Sequence, residues 1–510
     1  MGRGGFTDTP MRGGAEGEEV LLKTKAGDVG FLRTVLRVVL DFNNSAAENR
    51  AEYYKVKKAA DEAKAAAGER RRTSRAKLEQ KTSKVSRAEV AEHNDVHDCW
   101  MVIKGKVYDV TDFAATHPGG RVIYTYAGKD ATDVFAAFHA GGTWSQLSEL
   151  QVGELAEEDA TKPEDPIVQD FRNLRAKMVA EGLFKSDKLY YVYKTLSTLS
   201  IALLAYGALS AWGSSLPGIL FSAFLLGLFW QQCGWLAHDF CHNQVFRNRT
   251  YNTWGGFLVG SVWGGFSVDW WKGKHNTHHA APNEITAGGM PVDPDIDTLP
   301  LIAWSPELLS NVHDAAYRAF IRLQHYLFFP ILCFARMSWA QQSATHPFDA
   351  IKHTANVQPR VEKLSIALHY AWLLLFAFSQ LPLLRGVGFL LASQMMSGIM
   401  LSLVFVQSHN GMEIYHEPKD FFTAQLVSTR NIFGALSDRV YGPFNDWFTG
   451  GLNYQIEHHL FPTMPRHRLS KAQVHVMEVC KKHGLVYENC SMTEGTVRVL
   501  SALADIAALA

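Results

Sequence analysis

Pro217-Gly218-Ile219-Leu220-Phe221-Ser222-Ala223-Phe224-Leu225-Leu226-Gly227-Leu228-Phe229-Trp230 runs on through Gln231-Gln232-Cys233-Gly234-Trp235-Leu236 and stops at His238-Asp239-Phe240-Cys241-His242. The apolar part is as long as a membrane-crossing helix, which needs about 20 residues. Three more windows qualify: Tyr191 to Trp212, Leu364 to Leu384 and Val387 to Gln407. They form two hairpins with short connections, Gly213 to Leu216 and Arg385 to Gly386. Two other apolar stretches, Gly255 to Phe266 and Tyr326 to Phe334, are too short to span and are read as interfacial. A hairpin returns the chain to the side it left, so both flanks share one side of the bilayer. Nearly all Lys and Arg lie in those flanks, which makes that side cytosolic by the positive-inside rule. The expected fold is an all-α polytopic membrane domain with about four transmembrane helices.

Three histidine motifs sit at that boundary. His238-Asp239-Phe240-Cys241-His242 is followed by His275-Asn276-Thr277-His278-His279 and, much later, by Gln455-Ile456-Glu457-His458-His459. His409 closes the fourth apolar segment. Histidines three and four apart share one face of a helix. One such pair is a weak signal, but three pairs beside a membrane are costly unless used. Eight imidazoles exceed any single zinc site, which takes about four ligands. Two metal ions are the natural count, and imidazole suits iron. A metal held by imidazole beside lipid points to oxidation of something oily.

Upstream, His117-Pro118-Gly119-Gly120 makes a tight turn that brings backbone close to something flat, and His139 follows in Phe138-His139-Ala140. Two axial imidazoles would hold a b-type haem without covalent attachment, since no C-x-x-C-H is present. Such a haem has no open coordination site and moves single electrons. The surrounding strings Cys99-Trp100, Gly105 to Phe113 and His117 to Gly120 resemble cytochrome b5. Short β-like runs, Trp100 to Ile103 and Lys106 to Val110, alternate with helical stretches, as in a small α+β domain. Glu89 to Asp159 carries 13 acidic and 4 basic residues, a surface suited to a basic flavoprotein reductase.

The 510 residues hold Lys+Arg 50 against Asp+Glu 50, so no global charge points to a nucleic-acid partner. Six cysteines without CxxC pairing fit reduced thiols facing a cytosol. Neither a signal peptide nor a myristoylation pattern opens the chain, so insertion is expected to rely on internal segments. Residues 1–82, with 17 basic and 12 acidic side chains, are expected to be a flexible extension. Within it, Phe31 to Phe42 has one apolar face that lies on a membrane surface or simply packs on the body. The expected domains are 1–82 (extension), 83–157 (haem domain), 158–190 (linker and juxtamembrane helix) and 191–500 (membrane domain).

The motifs together resemble the front-end fatty acid desaturases, which fuse an N-terminal cytochrome b5 domain to a membrane desaturase. The likeness runs from about Ser86 to Leu500 and includes Trp235-Leu236-Ala237, Asp293 to Thr298, Gly451 to Tyr454 and Leu460-Phe461-Pro462. Gln455 stands where other membrane desaturases have a histidine. Gly234 to His238, Trp270 to His275 and His409 to Met412 look most like algal and diatom Δ6 enzymes. The resemblance implies that a di-iron centre, reduced through the haem, uses O2 to remove two hydrogens from adjacent methylenes. His117 and His139 would hold the haem. His238, His242, His275, His278, His279, His409, His458 and His459 would hold the two irons. Gln455 would ligate weakly, hydrogen-bond a metal-bound water or shape the pocket. Asp239 and Glu457 either orient ligand imidazoles or face water. The eleven other histidines, and tryptophans such as Trp263, Trp270, Trp271 and Trp339 (read as interfacial anchors), take no part.

The implied product is a cis double bond between an existing one and the carboxyl end of a polyunsaturated acyl chain, Δ6 being favoured. The implied partners are an acyl-CoA or acyl-phospholipid, an NADH-cytochrome b5 reductase and the bilayer, with the endoplasmic reticulum as site and a plastid as alternative. The rival readings are a Δ5 or Δ8 desaturase, a sphingolipid desaturase, a membrane lipid hydroxylase and a non-catalytic membrane-tethered haem electron carrier.

Overall fold

A computed structural model describes residues 83–139, 141–348, 359–433 and 438–510. The expectations for residues 1–82, including Phe31 to Phe42, lie outside the described residues. Ser86–Gln151 and Leu155–Ala510 pack as one compact unit. Ser83 to Val85 and Val152 to Glu154 belong to a second unit, where the Ser83 hydroxyl donates to the Val152 carbonyl and Lys84 pairs with Glu154.

The N-terminal domain is built on antiparallel strands Asn94–Asp95, Asp98–Ile103 and Lys106–Asp109. Lys104 and Gly105 join the last two with φ of 51° and 72°, the paired positive angles of a two-residue hairpin turn. Three short helices follow, Thr111–Ala114, Arg121–Tyr126 and Thr132–Phe138. The first and third start on one device: Asp109 accepts from the Thr111 N–H and hydroxyl, and Asp130 does the same for Thr132. The small α+β domain expected from the β-like runs is present.

Among the described residues, four helices are long and apolar enough to cross a membrane: α1 (Lys188–Trp212), α2 (Leu216–Cys241), α4 (Pro359–Phe378) and α5 (Leu383–His409). Between the pairs lies α3 (Val268–Ala280), and α6 (Gln455–Leu460) follows them. Asp187 caps α1 by accepting from the Leu189 and Tyr190 N–H groups, and Ser215 caps α2 through Gly218 N–H. The turn of the second hairpin is earlier than expected. It falls at residues 379–382, and Arg385 and Gly386 lie inside α5, because Pro382 starts the new helix. Helix α2 also runs past Leu236 and carries His238 on its last turn.

Within lipid, helices gain little from burying apolar surface, so close packing and polar contacts hold them. A Cβ on Gly227 of α2 would stand 3.0 Å from the Ser397 nitrogen and 3.2 Å from the Ser393 carbonyl of α5. Small residues thus let the two backbones meet. Gln231 adds a hydrogen bond to the Met400 carbonyl, and Ser222 of α2 donates to Ala205 of α1. Because α2 and α5 each leave a hairpin turn in the same sense, His238 and His409 end at the same level.

Candidate metal centre and haem site

Each histidine motif rides on a helix fixed by local chemistry. Ser267 starts α3 by accepting from the Trp270 N–H. Helix α6 is only six residues long, and its Ile456 N–H is satisfied by the Asn431 side chain. Asn431 itself lies on a short strand, Asn431–Phe433, paired in parallel with Asn489–Ser491 near the C-terminus.

The seven motif histidines and His409 converge in two groups. Donor atoms of His238, His242, His275, His279 and His458 lie within 4.8 Å of one another, as do those of His278, His409 and His459. A metal–nitrogen bond of about 2.1 Å sets two ligands of one ion at most about 4.2 Å apart, close to this spacing. The rings are nearly inaccessible, His275 being the most exposed at 8%. Among the described residues, Nε2 of His238, His242, His458 and His459 and Nδ1 of His279 have no hydrogen-bond partner. Leaving such an atom buried and unsatisfied costs about 1–3 kcal/mol. Cations between the rings would satisfy them, so the residues fit two metal ions.

Electrostatics favour the form that coordinates. Burial, then the neighbouring imidazoles, hold His242, His275, His279 and His459 well below the usual histidine range. Burial likewise lowers His458 to about 3. His278 goes the other way: burial lowers it, but the carboxylates of Asp293 and Asp295 outweigh burial and raise it to about 9. Its Nδ1 sits 2.9 Å from Asp293, which fixes the ring and leaves Nε2 facing His409. His409 Nδ1 donates to the Ser428 carbonyl (3.0 Å), and His459 Nδ1 to Gln425 Oε1 (2.9 Å). Gln455 Nε2 lies 3.1 Å from His409 Nε2, so its amide joins the three-histidine group.

Several expectations need correction. Asp239 and Glu457 do not face water; they are 1% and 0% exposed. Asp239 is ion-paired to buried Arg466 and comes no closer than 3.7 Å to His238 Nδ1. Glu457 accepts from Asn431 and Tyr487, and burial raises its carboxyl to about 7. Both tie the motifs to the body of the protein. The backing of the rings falls instead to Asp293 and Gln425, which sequence reasoning missed. Asp293 opens a motif noted for likeness alone, and nothing around Gln425 marked it. Trp270 and Trp271 are buried rather than interfacial, and Trp271 stacks on His275 with centroids 4.2 Å apart. His346 lies with Asp269 and Glu362, where Glu362 also accepts from Ser267 and the Asp269 N–H at the start of α3.

In the N-terminal domain, His117 and His139 face each other with ring centroids 6.0 Å apart. Nδ1 of His117 donates to the Gly120 carbonyl and Nδ1 of His139 to Phe135, each at 3.0 Å. Only an N–H can donate to a carbonyl, so both Nε2 atoms keep bare lone pairs. Burial lowers both rings, His139 to about 3. A Cβ on Gly119 would come 2.7 Å from His117 Cε1, so the glycine lets the ring turn inward. Phe135 stacks on His139 and Phe113 packs edge-on to His117. This cradle fits a haem held by two imidazoles.

Comparison with known proteins agrees. Residues 188–490 match the family model described as fatty acid desaturase, and residues 86–156 match the cytochrome b5-like haem/steroid binding domain. An acyl-lipid (9-3)-desaturase of Physcomitrium patens is 48% identical, covering 82% of this chain and 78% of that protein. A Delta(8)-fatty-acid desaturase of Euglena gracilis is 35% identical over 79% of this chain and 94% of that protein. A Delta(6)-fatty-acid desaturase of Caenorhabditis elegans is 35% identical over 76% and 91%. With its haem-type domain, four apolar helices and converging histidines, the chain belongs to the fatty acid desaturase family, in the branch fused to cytochrome b5.

Proposed function

We propose that this oxidoreductase is a front-end desaturase that places a cis double bond between an existing one and the carboxyl end of a polyunsaturated acyl chain. The observation that carries the reading is the convergence of eight buried histidines, seven from the three motifs and His409, beside a bis-imidazole haem cradle. A methylene offers nothing for acid–base catalysis to grip. Two bound irons would supply the oxygen chemistry that such a carbon requires. The chain's own part is positional. Gln425 and the Ser428 carbonyl hold His459 and His409 in the tautomer that offers Nε2, and Asp293 fixes the direction of the His278 ring through Nδ1. Burial keeps bulk water from the two groups. Gln455, a weaker donor than imidazole, leaves the three-histidine group short of a fourth ring.

For the bond position we take Δ6, on the likeness of Gly234 to His238, Trp270 to His275 and His409 to Met412 to Δ6 enzymes. Δ8 and Δ5 readings stand second, because relatives named for Δ8, Δ6 and Δ5 are equally similar at 35%. An acyl-phospholipid is favoured over acyl-CoA by the relative named acyl-lipid desaturase. The reductant would be a flavoprotein NADH-cytochrome b5 reductase docking on the acidic haem domain. The endoplasmic reticulum membrane is the proposed site, with the histidine groups cytosolic. Expression in yeast, feeding of linoleic, α-linolenic and longer polyunsaturated acids, and gas chromatography of products test this. New Δ6 products support it, Δ8 or Δ5 products favour the second readings, and no product from any acid sinks them all. Metal analysis separates the enzyme, with about two irons beyond the haem, from an electron carrier with haem iron alone.

A further inference from the structure

We propose that electrons leave the haem domain through Phe138, the chain neighbour of His139, whose ring meets His279, and that contacts centred on Asn276 hold the domain in this docked position. The proposal rests on the haem and di-iron reading above. Phe138 adjoins His139 in the chain, and its ring meets the His279 ring edge to face with centroids 6.2 Å apart. One side chain thus touches a histidine of the five-membered metal group while its neighbour faces the haem cradle.

The surrounding contacts all fix that approach. Asn276, between His275 and His278 on α3, donates to the Gly119 carbonyl at 3.2 Å, two residues after His117. The Tyr126 hydroxyl donates to the Ala280 carbonyl at 3.3 Å, at the end of α3. The Thr463 hydroxyl donates to the Ala137 carbonyl at 3.4 Å, beside Phe138 itself. Lys129 and Glu284 add an ion pair at 3.2 Å on the rim. Both haem-facing segments are therefore tied to α3 or to the loops that follow α3 and α6. Three of the four ties end on backbone carbonyls, which cannot swing as side chains do.

The redox balance requires two electrons from outside the acyl chain. Each new double bond removes two hydrogens, with two electrons, from the acyl chain. One O2 becomes two waters, which takes two more electrons and two protons. Those two electrons arrive singly, each as ferrous haem becomes ferric, and the flavoprotein reductase restores ferrous haem from a nicotinamide. Tunnelling weakens steeply with the gap, so a fixed aromatic contact sets the rate of this step.

The test uses the full-length protein with haem and iron, reduced anaerobically and then mixed with O2 and linoleoyl-phospholipid while the haem band is followed. Phe138→Leu is expected to slow haem reoxidation by roughly tenfold or more, with the haem band and non-haem iron content unchanged, and Phe138→Tyr to restore the rate. Lys129→Glu, which sets like charges together, is expected to speed amide hydrogen exchange in Arg121–Tyr126, and Lys129→Glu with Glu284→Lys to restore protection. Native reoxidation in Phe138→Leu, with haem and iron retained, overturns the route. Unchanged exchange in Lys129→Glu overturns the docking. An unaltered protein that binds haem but no further iron overturns the functional reading instead.

Discussion

In the three-histidine group every ring is held from behind: His278 by Asp293, His409 by the Ser428 carbonyl and His459 by Gln425. The five-histidine group is built otherwise. Among the described residues its closest carboxylate approach is the 3.7 Å between His238 and Asp239. Its rings lean on one another instead, with His238, His242, His275, His279 and His458 in edge-to-face or tilted contacts and Trp271 stacked behind His275. One group is positioned by hydrogen bonds, the other by crowding. Hydrogen bonds fix a tautomer and a direction, whereas packing fixes only a place. The smaller group, with Gln455 as its fourth member, is therefore the one whose properties should respond most sharply to conservative changes around it.

The largest effect tests what the groups share. His242→Ala and His459→Ala should each abolish desaturation in yeast while the haem absorbance stays near normal, since each removes a proposed iron ligand from a different group. Product from either variant at near-native yield would end the claim that both groups are needed. Next comes Asp293→Ala, which frees His278. Activity and iron content should fall on the order of 100-fold, and Asp239→Asn should lower iron content far less. Equal iron loss in the two variants would erase the distinction between the groups.

Gln455→His adds a fourth imidazole to the smaller group. We expect turnover to drop roughly tenfold with iron retained and thermal stability kept, measured by product formation and metal analysis. Unchanged turnover and regiochemistry would show that the amide only fills space. The smallest expected effect is that of Gln425→Ala, which loosens His459 without removing a charge. Several-fold weaker iron retention during chelator challenge is expected, about the low end of a lost supporting contact. Retention equal to the native protein would mean that His459 is held by packing alone, like its counterparts in the larger group.

The His117–His139 pair, the four apolar spans among the described residues and the seven motif histidines were legible in the chain because each depends on local spacing. A turn such as Lys104-Gly105, an Asp-x-Thr helix start or an apolar run of helix length needs no distant partner to be read. The second hairpin turn was misplaced by a few residues because Leu381 to Leu384 stays apolar through the break, and only Pro382 marks it.

The division of the histidines was decided by the tertiary structure. Adjacent residues on a helix point about 100° apart, so each His-His doublet is split: His279 and His458 join one group, His278 and His459 the other. Spacing says that the doublets diverge, but not which ring meets which. That depends on how α2, α3, α5 and α6 approach, and hence on contacts such as Gly227 against Ser393 and Ser397 or Asn431 against Glu457. The same holds for Asp293, Gln425 and Arg466, ordinary polar residues in sequence. They became part of the site because burial turns their polar atoms onto nearby groups: Asp293 meets His278 and the Asn283 and Asp295 N–H groups, Gln425 meets His459, and Arg466 pairs with Asp239.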